Sequence, residues 1–151
     1  MSENLFDSNP LLDSVAILAR ARERGQADHL PYAGCLFPDE AWALFQRGDA
    51  VIVDVRTLGE LQDVGAVPKA PHAAWALAPA MTRNPHFVED LSKVVQLTDN
   101  VLFLCRSARR SDFAAQAVSK EGWPNAFNIL EGFEGTGADG WLSRGLPTTL
   151  D

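Results

Sequence analysis

Little in this sequence could bind the chain together through covalent or metal bonds. Two cysteines, Cys35 and Cys105, are too few for a disulfide framework, and neither belongs to a C-x-x-C pair. His29, His72 and His86 are scattered, none at helical ligand spacing from another histidine or cysteine, so no metal is expected. Apolar runs fall well short of the roughly 20 residues a membrane helix requires, which argues against a membrane partner. The opening M-S-E-N-L-F-D-S-N-P has neither the basic start nor the apolar core of a secretory signal, so a cytoplasmic location is expected. Basic charge is also scarce: 13 Lys and Arg face 20 Asp and Glu, and a net charge of -7 argues against nucleic acid as a partner. The cluster Arg20, Arg22 and Arg24 reads as cations in the last turn of a helix, where they complement its dipole.

What is present suits one globular domain. With 46% hydrophobic and 22% charged residues, the 151-residue chain can bury roughly 70% of the surface it exposes when unfolded. Asn9-Pro10 predicts a helix start, with Leu11, Leu12, Val15, Leu18 and Ala19 on its inner face and Gly25 at its end. Pro38 opens a second helix that Gly48 closes, although Phe37 stands at its cap without a side-chain acceptor. Val51–Val55 is a β-branched run expected as a buried strand, and Leu58–Pro71 reads as a turn-rich connection to a brief strand at Ala73–Trp75. Asn84-Pro85 predicts a helix carrying Phe87, Val88, Leu91, Val94 and Val95. A strand at Val101–Leu104, a helix at Asp112–Glu121 and a strand at Ala126–Leu130 complete the alternation. Strands alternating with helices imply a parallel sheet with right-handed crossovers, whose ligands bind beyond the carboxyl ends of the strands.

Cys105 stands at such an end, opening the loop Cys105-Arg106-Ser107-Ala108-Arg109-Arg110-Ser111 just before a helix. Guanidinium groups and the start of a helix favour a thiolate over a thiol, and backbone N–H groups curling toward one point form an anion nest. A lone cysteine after a strand is more often packed in the core, and Cys35, among apolar neighbours, is read that way. The arginines reverse that reading for Cys105, which is the expected nucleophile; no general base is needed if the thiol is already ionised. Asp54 and Arg56 lie at another strand end, with Asp54 read as a structural carboxylate that positions Arg56 or the loop amides.

These residues resemble the single-domain rhodaneses, a sulfurtransferase family whose active loop runs C-R-S-G-x-R-S. Upstream, Asp54-Val55-Arg56, Glu60-Leu61, Gly65, Val67-Pro68 and Ala70 are similar to the family's D-V-R-x-x-x-E-aromatic-x-x-x-G-H-I-P-G-A; downstream, Leu130-Glu131-Gly132-Phe133 and Gly140-Trp141 resemble its L-x-G-G … W ending. Ala108 replaces the loop glycine, Ala66 the histidine and Lys69 a glycine of that pattern. The resemblance implies a three-layer α/β sandwich around a central, mostly parallel five-stranded sheet with helices on both faces. Residues 1–34 would form an N-terminal helical extension and residues 35–151 the rhodanese-like domain. It implies a thiosulfate sulfurtransferase without a cofactor. Cys105 would carry a persulfide; Arg106, Arg109, Arg110 and Arg56 would bind or attract the anionic donor, and the amides of Ser107 through Ser111 would cradle the sulfur. Donor and acceptor would be thiosulfate or another sulfane compound and a thiol or cyanide, a protein thiol included. The alternative within the family is a carrier or non-catalytic module for persulfide relay, thiol-redox sensing or protein binding. Phosphatases with a related cysteine loop carry the key arginine six positions after the cysteine; here that position is Ser111.

Overall fold

The computed structural model describes residues 5–149, so the first four residues, where the expected extension and signal-free start begin, and residues 150–151 lie outside it. Eleven elements follow in order: α1 (Ser14–Ala27), β1 (Gly34–Leu36), α2 (Pro38–Arg47), β2 (Val51–Asp54), α3 (Leu58–Val64), β3 (Ala76–Leu77), β4 (Thr82–Arg83), α4 (Phe87–Ser92), β5 (Val101–Leu104), α5 (Arg109–Lys120) and β6 (Ala126–Ile129). β1, β6, β5 and β2 form one sheet in that order, and every neighbouring pair is parallel. The fold is the expected rhodanese-like α/β class, but the sheet has four strands rather than five. Where a fifth was expected, Asp54 and His72 make a single parallel bridge. Pro71 accepts from Asp54 N–H but has no N–H of its own, and the chain leaves into the small β3–β4 hairpin.

Side chains of period two divide the sheet between two cores. Val53, Val101, Phe103 and Cys105 face α4 and α5, packing with Phe87, Leu91, Ala114, Ala115 and Val118. Ile52, Leu102, Leu104, Phe127 and Ile129 face α1 and α2, packing with Ile17, Ala21, Ala41, Leu44 and Trp141. All four central strands are buried apart from half-buried Val51.

The N-terminal helix departs most from its sequence reading. It begins at Ser14 rather than after Pro10, because Asp13 caps it by accepting from Ala16 N–H. Its buried face is Ile17, Arg20, Ala21, Arg24 and Gly25, while Leu11 and Val15 are exposed. Only Arg24 of the three arginines lies in the last turn, and specific partners hold it and Arg22. Arg24 is fully buried in a two-pronged ion pair with Glu40 at 2.8 and 3.0 Å and also donates to the carbonyls of Leu5, Asp7 and Cys35. Arg22 donates to Asn125 Oδ1. Gly25 does not end the helix: a Cβ there would lie 2.7 Å from the Ala33 carbonyl oxygen, and one on Gly34 would lie 2.0 Å from that of Ala21. Two glycines thus let α1 lie directly on the backbone entering β1.

α2 runs as predicted from Pro38 to a left-handed Gly48, and Glu40 supplies the missing cap interaction by accepting from Phe37 N–H. α3 lies inside the stretch expected as turns. Its start, Thr57-x-x-Glu60, is a reciprocal capping box, with Thr57 Oγ1 accepting from Glu60 N–H and Glu60 accepting from Thr57 N–H. α4 is only Phe87–Ser92, with Asn84 accepting from His86 N–H. α5 begins three residues earlier than expected, and its Phe113 points to solvent while Ala115 is buried.

Candidate active site

β5 carries Cys105 to the sheet's carboxyl edge on the face covered by α5, where it is 1% exposed. Because α5 starts at Arg109, its first N–H groups have no helical acceptor. One of them, on Ser111, donates to Cys105 Sγ at 3.3 Å, and the Ser111 hydroxyl lies 3.2 Å from the same sulfur. The thiol therefore sits beneath the positive end of a helix dipole, within reach of two donors from one residue.

Ala108 is the N-cap of α5 and adopts φ 72°, ψ 6°, the left-handed region. The turn from strand to helix demands this conformation, which in an alanine costs on the order of 1 kcal/mol. From behind, the segment after β6 is sewn to the cysteine loop. Phe133 N–H donates to the Cys105 carbonyl at 2.8 Å, and those of Glu134 and Gly135 donate to the Arg106 carbonyl. Gly132 allows this approach at φ 81°, since a Cβ there would lie 2.3 Å from the Arg106 oxygen.

The arginines occupy three environments. Arg106 and Arg109 are exposed, with Arg106 paired to Glu134 at 3.2 Å. Arg110 is mostly buried and makes a two-pronged ion pair with Glu60 at 2.6 and 2.9 Å. Burial is the largest single influence on the Glu60 carboxyl and opposes its charge, but the hydrogen bonds from Arg110 and Thr57 together outweigh it and hold the group at about 2. The same pairing raises the already high proton affinity of Arg110.

Arg56 departs from the expectation that it binds or attracts the anionic donor directly. It has no exposed surface; its guanidinium binds both Asp54 oxygens and the Gly65 carbonyl and lies over the Phe133 ring at 4.2 Å. Its Nη1 is buried without a hydrogen-bond partner. Asp54 also accepts from Arg56 N–H, and His72 Nε2 lies 2.6 Å from the Arg56 carbonyl. Together these contacts brace the end of β2 and join it to the segment behind the cysteine loop. Cys35 is buried, and burial pushes its thiol up to about 11 despite the nearby Arg24 charge.

One group beside Ser111 escaped the sequence reading. Asn128, on the α5 face of β6, accepts from the Ser111 hydroxyl at 2.5 Å and donates to the Ala108 carbonyl at 3.2 Å. Nearby, the Tyr32 hydroxyl donates to Asp112 Oδ1. The signal was faint: one amide within the otherwise apolar Ala126–Ile129. Glu60, by contrast, was detectable from the capping spacing after Thr57.

Comparison with known proteins finds relatives of the chain at three levels. A family model described as Rhodanese-like domain matches residues 37–139. The chain is 33% identical over 107 residues to uncharacterized protein RP600 of Rickettsia prowazekii (strain Madrid E), covering 69% of this chain and 86% of that one. Among solved structures, Rv0390 from M. tuberculosis has a TM-score of 0.71 and 34% identity, over 80% of this chain and 99% of that one. The polysulfide-sulfur transferase homodimer of Wolinella succinogenes shares the fold at a TM-score of 0.59 and 22% identity, covering 89% and 87%. On the extent of the family match and the likeness to these relatives, the chain belongs to the rhodanese-like domain family.

Proposed function

We propose that this protein is a sulfurtransferase that passes a sulfane sulfur through a persulfide on Cys105. The observation that carries the reading is the thiol placed under the first turn of α5, with Ser111 N–H aimed at its sulfur. The Cys105 thiolate attacks the outer sulfur of thiosulfate. A new S–S bond forms, the old one breaks, and its electron pair leaves with sulfite. An acceptor thiolate or cyanide then attacks the outer persulfide sulfur, and the Cys105 thiolate is released. The unbonded N–H groups at the start of α5, with those of Ser107 and Ala108, surround the negative outer sulfur. Arg106 and Arg109 draw the anionic donor to the loop mouth, and Arg110 contributes from beside the sulfur. Arg56 acts beneath the surface by fixing Asp54 and the loop's backing segment. No cofactor takes part.

A persulfide-carrying role in relay or sensing, to a protein thiol acceptor, has one observation in its favour: Arg106 and Arg110 are both held by carboxylates, which reduces the free charge offered to thiosulfate. Intact-protein mass spectrometry after exposure to thiosulfate tests both readings. Sulfur gained by the wild type and not by Cys105→Ser, discharged by cyanide over many turnovers, is the expected result. A single slow transfer identifies the carrier, and no gain of sulfur overturns the thiosulfate reading.

A further inference from the structure

The Ser111 hydroxyl has one proton and two neighbours that want it. Asn128 Oδ1 lies 2.5 Å away and Cys105 Sγ 3.2 Å away. The amide cannot turn to relieve this competition. Its nitrogen donates to the Ala108 carbonyl at 3.2 Å. An inverted amide would set oxygen against the Ala108 oxygen. The arrangement therefore runs in one direction: S–H donates to Ser111 Oγ, and Ser111 O–H donates to Asn128 Oδ1. In that direction the side chains of Cys105, Ser111 and Asn128 are all paired, but only while Cys105 keeps its proton. Once the sulfur ionises it needs donors, and the Ser111 hydroxyl must leave Asn128 to become one.

We propose that Asn128 is a positioning residue that sets the protonation state of Cys105 by competing with its sulfur for the Ser111 hydroxyl proton. Asn128 touches no reacting atom and acts only through Ser111. Anchored by the Ala108 carbonyl, it stabilises the thiol and makes thiolate formation depend on rotation of one hydroxyl. The other ionisable groups bearing on this site are Arg110 on α5 with Glu60 on α3, Asp54 and Arg56 at the end of β2, Asp112 and Tyr32 beyond Asn128, and Cys35 on β1. All of these remain when Asn128 is changed. The functional meaning of the device rests on the sulfur-transfer reading, whereas its chemistry can be measured without any sulfur donor.

The test follows the ultraviolet absorbance of the Cys105 thiolate against pH, taken as the difference from Cys105→Ser. Replacing Asn128 by leucine frees the hydroxyl for sulfur, and the midpoint of the profile should fall by roughly half to one pH unit. Asn128→Ala serves the same purpose if leucine does not fit. Ser111→Ala should raise the midpoint, and in that background Asn128→Leu should add nothing, because the competing proton is gone. Tyr32→Phe, which leaves Oδ1 facing Ser111, should move it much less. An unmoved or raised midpoint in the Asn128 variants overturns the proposal, as does an equal shift with and without the Ser111 hydroxyl. If the absorbance shifts appear while the wild type gains no sulfur from thiosulfate, the device stands and the thiosulfate reading fails.

Discussion

Glu60 and Arg110 show at single-residue scale how the loop is tuned. The folded Glu60 carboxyl sits at about 2, below its ordinary 4.5, so its pairing contributes stability above about pH 4.5 and loses that contribution as pH falls toward 2. Glu60→Gln should therefore lower the melting temperature at neutral pH, with the deficit closing over that acid window; thermal melts at several pH values will show it. Arg110→Ala should raise the KM for thiosulfate about ten-fold, the weight of a charge-assisted contact to the donor, with a smaller effect on kcat. Steady-state kinetics separates the two parameters. Ala108 holds φ 72° without glycine's freedom, so Ala108→Gly should stabilise the fold by up to about 1 kcal/mol in urea titrations.

At the scale of elements, strands were more legible than helix ends. Val51–Asp54 and Val101–Leu104 are β-branched or apolar runs buried on both faces, and hydrophobicity alone marks them. α1 was misplaced because its buried face is built from Arg20, Arg24 and Gly25, residues that an apolar periodicity cannot count. α3 was missed because no residue in it is buried, leaving the Thr57 and Glu60 capping pair as its only mark. The cysteine loop could be read as one segment, since its residues are contiguous, but the ties of Arg110 to Glu60 and of Ser111 to Asn128 could not. The burial of Arg56 was not legible either: Asp54 was read as a partner that positions it, but nothing in the sequence says that Phe133 covers it. The backing of the loop makes a prediction of its own. Gly132→Ala places a Cβ against the Arg106 carbonyl at a left-handed position, and should cut persulfide formation at least ten-fold by shifting the loop. Stopped-flow sulfur transfer, with circular dichroism to confirm the fold, will measure this.

Across the whole molecule, α1 is tied to the two-sided sheet by a buried charge. Arg24→Met would leave the Glu40 carboxylate buried without its cation and should cost about 3 to 5 kcal/mol. Pairing it with Glu40→Leu should recover much of that loss, which denaturant titration of the single and double variants will resolve. Among the described residues no helix is long and apolar enough to cross a membrane.

The strand order carries a consequence for how the chain is made. β6, the last strand in the sequence, lies between β1, the first, and β5. As the chain leaves the ribosome, β5 can pair with β2, but β1 has no neighbour until residues 126–129 emerge. Asn128 and the N–H groups that hold the Cys105 and Arg106 carbonyls arrive with or after that same strand. A nascent chain halted before β6 thus carries a cysteine with no finished pocket, and the surroundings of Cys105 are complete only once β6 has been made.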